Sequence, residues 1–305
     1  MMKEKYSTQK IGTLSGHKDS IFTLCGSHDP NYFFSAGADG MVVLWDLRTP
    51  DSGRLIAKLP NSVYALHYLR EKKLLVIGNN MSGIHLLDWE NKKEEGSVAF
   101  TDSLIFDIVS HDNRLYIGDK KGVITVIDAN NLNILQKVKL GEKSIRTMDI
   151  NPKSGEMAVG LSDNSIKILS LEDMRVKKDY IAHQNSVFTV KFTSDYKFLL
   201  SGGRDARLKL WDVEGDFQLK NEVKAHMYTI NHIEFSEDGK HFVTCSLDKS
   251  LKIWETEGFQ LKKVIDKAKY EGHGNSVNKI LWSPFNNYII SASDDRSIML
   301  WDVQV

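Results

Sequence analysis

Ser35-Ala36-Gly37-Ala38-Asp39-Gly40-Met41-Val42-Val43-Leu44-Trp45-Asp46 is the first of four stretches that end alike; the others run from 201 to 212, 244 to 255 and 291 to 302. In each, an Asp stands six residues before a Trp, and a Ser or Thr stands four residues before that Asp. A His lies well upstream each time, at His17, His183, His226 and His273. A four-residue pattern returning about every forty residues is an internal repeat, and a repeat decides the architecture.

Trp211, Trp254 and Trp301 are spaced by 43 and 47 residues, while 166 residues separate Trp45 from Trp211. That gap holds three degenerate units, with Leu87, Ile127 and Leu169 at the Trp position, so the repeat counts seven. Within a unit the strand signals are short apolar runs such as Val187–Phe192, Phe198–Ser201 and Leu208–Trp211, separated by turn residues. A more polar fourth strand follows, as in Phe217–Lys220. Inner strands apolar on both faces suit sheets stacked between sheets. A ring of such sheets is an all-β propeller of four-stranded antiparallel blades.

With Gly16-His17 and Gly272-His273 as Gly-His pairs and Trp-Asp at 45–46, 211–212 and 301–302, the chain resembles the WD40-repeat family from about residue 8 to 305. The expected organisation is a mobile tail over 1–7 and a single seven-bladed domain over 8–305. The last unit stops three residues after Asp302, so the polar segment Gln9–Leu14 is expected to complete the seventh blade and leave no open edge. The resemblance implies that Asp39, Asp205, Asp248 and Asp295 bond His17, His183, His226 and His273. These in turn bond Ser35, Ser201, Thr244 and Ser291, which hold the indoles of Trp45, Trp211, Trp254 and Trp301. Ser, His and Asp together suggest a hydrolase triad, but four equivalent sets point to structure rather than catalysis. Blades two to four lose most of these partners together, although blade four keeps Asp163, and looser packing is expected there.

Lysine plus arginine equal aspartate plus glutamate at 40 each, so no global field draws nucleic acid or a membrane. The first residues lack the apolar core of a signal peptide, and no apolar run reaches membrane-spanning length. Cys25 and Cys245 read as small buried hydrophobes in a reducing, cytoplasmic setting. No phosphate loop, Cys-x-x-Cys or metal-ligand spacing occurs, so no cofactor or metal is expected.

In this family, residues at the start of each innermost strand, with the residue before the turn Asp, are expected to reach one face of the ring. The aligned runs place Phe22, Tyr64, Phe106, Arg146, Phe188, Asn231 and Asn278 there. The second set is Ala38, Ser162, Arg204, Leu247 and Asp294, with Asn80 and Lys120 as approximate equivalents. Aromatic residues with arginine dominate binding energies, so the expected function is a non-catalytic scaffold, monomeric on its own. It would bind a peptide or loop with acidic and apolar side chains, Arg204 included in the site. The alternatives are aromatics that cover and plug the channel rim without any ligand, an enzyme or small-molecule binder using the channel, and single-stranded nucleic acid stacking on the same aromatics. Asp107 and Asp149 are expected to turn toward other environments. The connection from Ile265 to Gly272 reads as a longer loop.

Overall fold

The structure is a computed structural model that describes residues 7–304. Most of the tail expected over 1–7 lies outside the described residues, but Ser7 does not belong to a tail: it opens a strand and pairs with Gln304. Among the described residues there are seven antiparallel sheets of four strands each. In six of them the strands follow sequence order. The seventh takes Val277–Trp282, Tyr288–Ser293 and Ile298–Gln304, and receives its outer strand from Ser7–Leu14. That strand runs antiparallel to Ile298–Gln304 with Leu14 opposite Ile298, interrupted by an irregularity between Lys10 and Gly12.

The chain forms two compact units. One holds residues up to 62 together with those from 231 onward, and contains blades one, six and seven. The other spans Val63–Ile230 and contains blades two to five.

Within each unit the sheets bury apolar side chains against their neighbours. In the four-blade unit one cluster joins Val76, Ile84 and Ile105 to Ile117 and Ile127, another joins Tyr116 and Ile145 to Leu169, and a third joins Ile166 and Val187 to Trp211. In the other unit Ile253 and Val277 pack with Trp301, and Ile21 and Trp45 pack with Ile290 and Leu300. Close approach is enforced at two glycines. A Cβ on Gly118 would lie 2.5 Å from Ile145 Cγ2, and one on Gly160 would lie 2.7 Å from Thr147 Cγ2 and 2.8 Å from Val187 Cγ1. Ile127 and Leu169, which replace Trp in blades three and four, are fully buried in these clusters. Blade two substitutes differently: Trp89, two residues beyond Leu87, is buried and donates to Tyr68 Oη at 3.3 Å. The looser packing expected of blades two to four is not reflected in their burial, because an apolar cluster fills the space the network vacates.

The connection read as a loop contains one helical turn, Lys267–Tyr270. Asp266 caps it by accepting from Lys269 N at 2.9 Å, and Tyr270 packs on the core of blades six and seven. A single turn carries too little periodicity to be read from sequence.

Candidate protein-binding face

The repeated His, Ser, Asp and Trp residues meet in the structure. In blade one, His17 Nδ1 lies 3.0 Å from Asp39 Oδ2, and His17 Nε2 lies 2.7 Å from Ser35 Oγ. Trp45 Nε1 donates to the same Ser35 Oγ at 2.8 Å. Blade five repeats this with His183 and Asp205 at 3.0 Å, His183 and Ser201 at 2.8 Å, and Trp211 donating to Ser201 at 2.8 Å. Blade seven gives 3.0 Å for His273 and Asp295, 2.8 Å for His273 and Ser291, and 2.9 Å for Trp301 and Ser291. In blade six Trp254 Nε1 donates to Thr244 Oγ1 at 3.0 Å, Asp248 accepts from Ser250 N and Oγ, and His226 is buried.

Burial holds the His17 imidazole below its usual pKa, against the pull of Asp39, so the ring is neutral at pH 7. A neutral ring that donates from Nδ1 to the carboxylate must accept at Nε2. Ser35 Oγ therefore donates to His17 and accepts from Trp45. The Ser–His–Asp hydrogen bonds are those of a triad, but the hydroxyl is fully buried and engaged by the indole, whereas a nucleophile must be reachable by its substrate.

Blade three carries a substitute that the aligned sequence hides. Asp119 stands two residues before the usual turn position, yet its Oδ1 accepts from Lys121 N at 2.9 Å and Val123 N at 3.0 Å. Thr101, at the position of the upstream His, donates to Asp119 Oδ2 at 3.2 Å. The only available signal was the acidic residue beside Lys120.

The inner strands place the face residues by a shared device. Strand pairing slips by one residue at Phe22, Phe106, Arg146, Phe188 and Asn278, each of which lies at a β-bulge between a buried residue and the next paired one. A bulge re-aims a side chain out of strict alternation. Ile21, Ile105, Ile145, Val187 and Val277 just before them are fully buried.

In the four-blade unit the bulge residues and Tyr64 form a contiguous arc. Tyr64 and Phe106 meet edge to face with centroids 5.4 Å apart. The Arg146 guanidinium carbon lies 4.5 Å from the Phe106 centroid and 4.8 Å from that of Phe188. Arg146 Nε donates to Ser162 Oγ at 3.0 Å, so the residue before the turn Asp meets the bulge residue of its own blade. Burial lowers the Arg146 pKa, Tyr64 opposes this, and Arg204 adds to it, which places the two guanidinium groups in one field. Lys120 is exposed. Asn80, matched to this face in the alignment, is instead fully buried and accepts from Ile105 N at 2.8 Å. Lacking the turn Asp, blade two uses that position to fasten the next inner strand.

In the other unit the polar positions are engaged with backbone. Asn231 Nδ2 donates to Ser276 Oγ at 3.0 Å and Val277 O at 2.8 Å. Asn278 Nδ2 donates to Ile21 O at 2.9 Å and to Asp294 Oδ1 at 2.7 Å. Phe22 is half-buried, and Ala38 and Leu247 bring no polar side chain. Asp107 and Asp149 fasten inner strands too, accepting from Met148 N at 2.6 Å and Phe192 N at 2.7 Å. Among the described residues no three His, Cys, Asp or Glu side chains converge as metal ligands.

The family pattern described as "WD domain, G-beta repeat" matches residues 8–46, 174–212, 217–255 and 266–302, which together make half of the chain. The chain belongs to the WD40 repeat family. Three of the four matched repeats take in the outer strand of one blade and end on the third strand of the next, the offset that the Ser7–Leu14 pairing makes visible; the fourth begins at residue 266, just after an outer strand. A solved structure, "Crystal structure of WD40 beta propeller domain of Doa1", superposes with a TM-score of 0.85 over 97% of this chain and 96% of its own, at 19% identity. The fold is thus a seven-bladed WD40 β-propeller. Among curated proteins, human "Gem-associated protein 5" is 21% identical over 66% of this chain and 13% of its own length. The Dictyostelium discoideum "WD repeat-containing protein 91 homolog" is 23% identical over 68% of this chain and 28% of its length. The Emericella nidulans "Eukaryotic translation initiation factor 3 subunit I" is 24% identical over 66% and 64%. The chain therefore spans only a minor part of the first two relatives.

The buried titratable groups set a pH dependence. Burial pushes Asp205 up, but His183 and the backbone N–H groups of Gln184 and Arg207 outweigh it and bring the carboxyl down to about 2 from 3.8. The unfolded state then binds the extra proton, so this contribution is complete above pH 4 and is lost as pH falls toward 2, about 2 kcal/mol in all. Burial, aided by the charge of Lys191, lowers His67 from 6.5 to about 4. Its contribution of about 3 kcal/mol is lost as pH falls from 6.5 to 4. Urea midpoints should therefore drop in two stages between pH 7 and pH 2. His67→Gln should flatten the upper stage and Asp205→Asn the lower one. A midpoint constant from pH 7 to pH 4 would contradict this.

Proposed function

We infer that this protein is a non-catalytic platform for protein–protein interaction, and that the arc of Tyr64, Phe106, Arg146, Phe188 and Arg204 holds a peptide or loop of its partner. The observation that carries this reading is the clustering of three aromatic rings and Arg146 at inner-strand starts, with Arg204 beside them before the turn Asp of blade five. Elsewhere the equivalent positions are tied to backbone by Asn231 and Asn278. Tyr, Phe and Arg are anchors of binding energy when water is excluded around them. Membership in the family supports the same role, and two relatives are named for belonging to an assembly, one as a subunit and one as an associated protein. The Ser, His and Asp sets offer no reactive hydroxyl, which favours binding over catalysis. A cytoplasmic site of action fits two cysteines held as thiols on strands.

A photo-crosslinking amino acid in place of Tyr64 tests the reading, with the same residue at Leu219 on an outer strand as the comparison. Leu219 is 48% exposed and Tyr64 is half-buried. A partner crosslinked from 64 and not from 219 is the expected result. The reverse pattern would move the site to the blade edges.

A further inference from the structure

We propose that the arc is a carboxylate receptor, in which Arg146, held between Phe106 and Phe188, grips an Asp, Glu or C-terminal carboxylate of the bound segment. This rests on the platform reading above and names the chemical group it captures.

Three observations point there. First, phenyl rings from the blades on either side lie 4.5 and 4.8 Å from the guanidinium carbon, so the group is held between two apolar rings that cannot accept its N–H donors in place of an anion. Nε is spent on Ser162 at 3.0 Å, which fixes the plane and leaves the two terminal nitrogens as a fork. A fork of parallel N–H donors matches two oxygens in one plane. Second, the charge is uncompensated. Among the described residues neither Arg146 nor Arg204 forms an ion pair, and no acid contributes to the field at Arg146. A half-buried cation beside a second cation is costly until an anion arrives, and that cost is recovered only by a ligand carrying negative charge. Third, the rest of the arc is apolar: the Tyr64 and Phe106 pair offers a wall for an aliphatic or aromatic neighbour of the carboxylate. A tetrahedral phosphoryl group would leave one or two oxygens facing those rings, so the planar anion is the better fit.

The test uses the intact chain and three small probes: 3-phenylpropionate, 3-phenylpropionamide and phenylphosphonate. NMR follows the Arg146 Nε–H and the aromatic ring signals during titration. The expected result is saturable movement of these signals with the carboxylate at millimolar concentration, at least tenfold weaker binding of the amide, and weaker binding of the phosphonate. Arg146→Lys keeps the charge but loses the fork and should weaken the carboxylate tenfold or more. Ser162→Ala, which leaves stacking in place, should weaken it several-fold and broaden the Arg146 signal. Tighter binding of the phosphonate would overturn the carboxylate assignment in favour of a phosphoryl group. Equal movement by the carboxylate and the amide would discard the carboxylate grip and leave the platform reading standing. No movement with any probe up to 20-fold above the millimolar range would discard the grip as well. The platform then stands or falls on the crosslinking result alone.

Discussion

Asp205→Ala is expected to lower the unfolding free energy by about 3 kcal/mol, because it strands buried donors that each cost about 1–3 kcal/mol when unpaired. The carboxylate accepts from His183 Nδ1 at 3.0 Å, from Gln184 N at 3.0 Å and from Arg207 N at 3.1 Å. The backbone groups can turn to water, but the His183 side chain has no exposed surface and cannot. The damage should also spread. Once its Nδ1 partner is gone, His183 no longer has a reason to present Nε2 to Ser201, and Ser201 is the acceptor for Trp211. Asp163 in blade four is the internal comparison. It serves only Ser165, through N at 3.1 Å and Oγ at 2.6 Å, so Asp163→Ala should cost about 1–2 kcal/mol, less than Asp205→Ala because no His, Ser and Trp chain depends on it. Urea unfolding followed by tryptophan fluorescence measures both. Equal losses would mean that the His–Ser–Trp chain adds nothing beyond the turn itself.

The second large effect concerns binding. Reversing the arc with Arg146→Glu and Phe188→Glu should weaken the partner at least 100-fold, about 2.7 kcal/mol or more, while the thermal midpoint changes little. Both side chains are half-buried rather than core, and the buried residues next to them, Ile145 and Val187, are untouched. Truncating a central aromatic or arginine anchor commonly costs 2 kcal/mol or more. Reversal adds repulsion toward an acidic segment. Calorimetric titration with the purified partner, beside a thermal scan of the free variant, separates the two effects. A large fall in the midpoint with unchanged affinity would mean that the aromatics serve the fold as a plug.

What sequence revealed followed from which physical requirement each feature serves. The His, Ser, Asp and Trp sets were legible because a satisfied buried network demands particular atoms at particular spacings, and substitution of one member removes the others. The strand exchange at the seam was legible because a blade short of one strand and a strand short of a blade appear at opposite ends of the chain. Phe106, Arg146 and Phe188 could be aligned, but their placement depends on bulges, and a bulge is a property of two paired strands rather than of one. Their mutual contact depends in turn on three blades lying side by side. Asp119 is hidden from a fixed spacing because the turn carboxylate of blade three sits two residues earlier than in the blades that keep the usual turn Asp. Asn80 was placed on the face for the same reason, although its amide is used to hold Ile105. The helical turn after Asp266 was too short for its period to register.

The account turns on the claim that this propeller binds its partner through the arc at the inner-strand starts of blades two to five. An affinity capture from native lysate with quantitative mass spectrometry tests it. The intact chain is compared with the Arg146→Glu, Phe188→Glu variant and with a Glu71→Lys, Lys72→Glu variant. The latter alters a cleft of about 500 Å³ at the other end of the blade two and three inner strands. The account predicts a partner retained by the intact chain and by the cleft variant, and lost from the arc variant. A partner retained by the arc variant and lost from the cleft variant would contradict it.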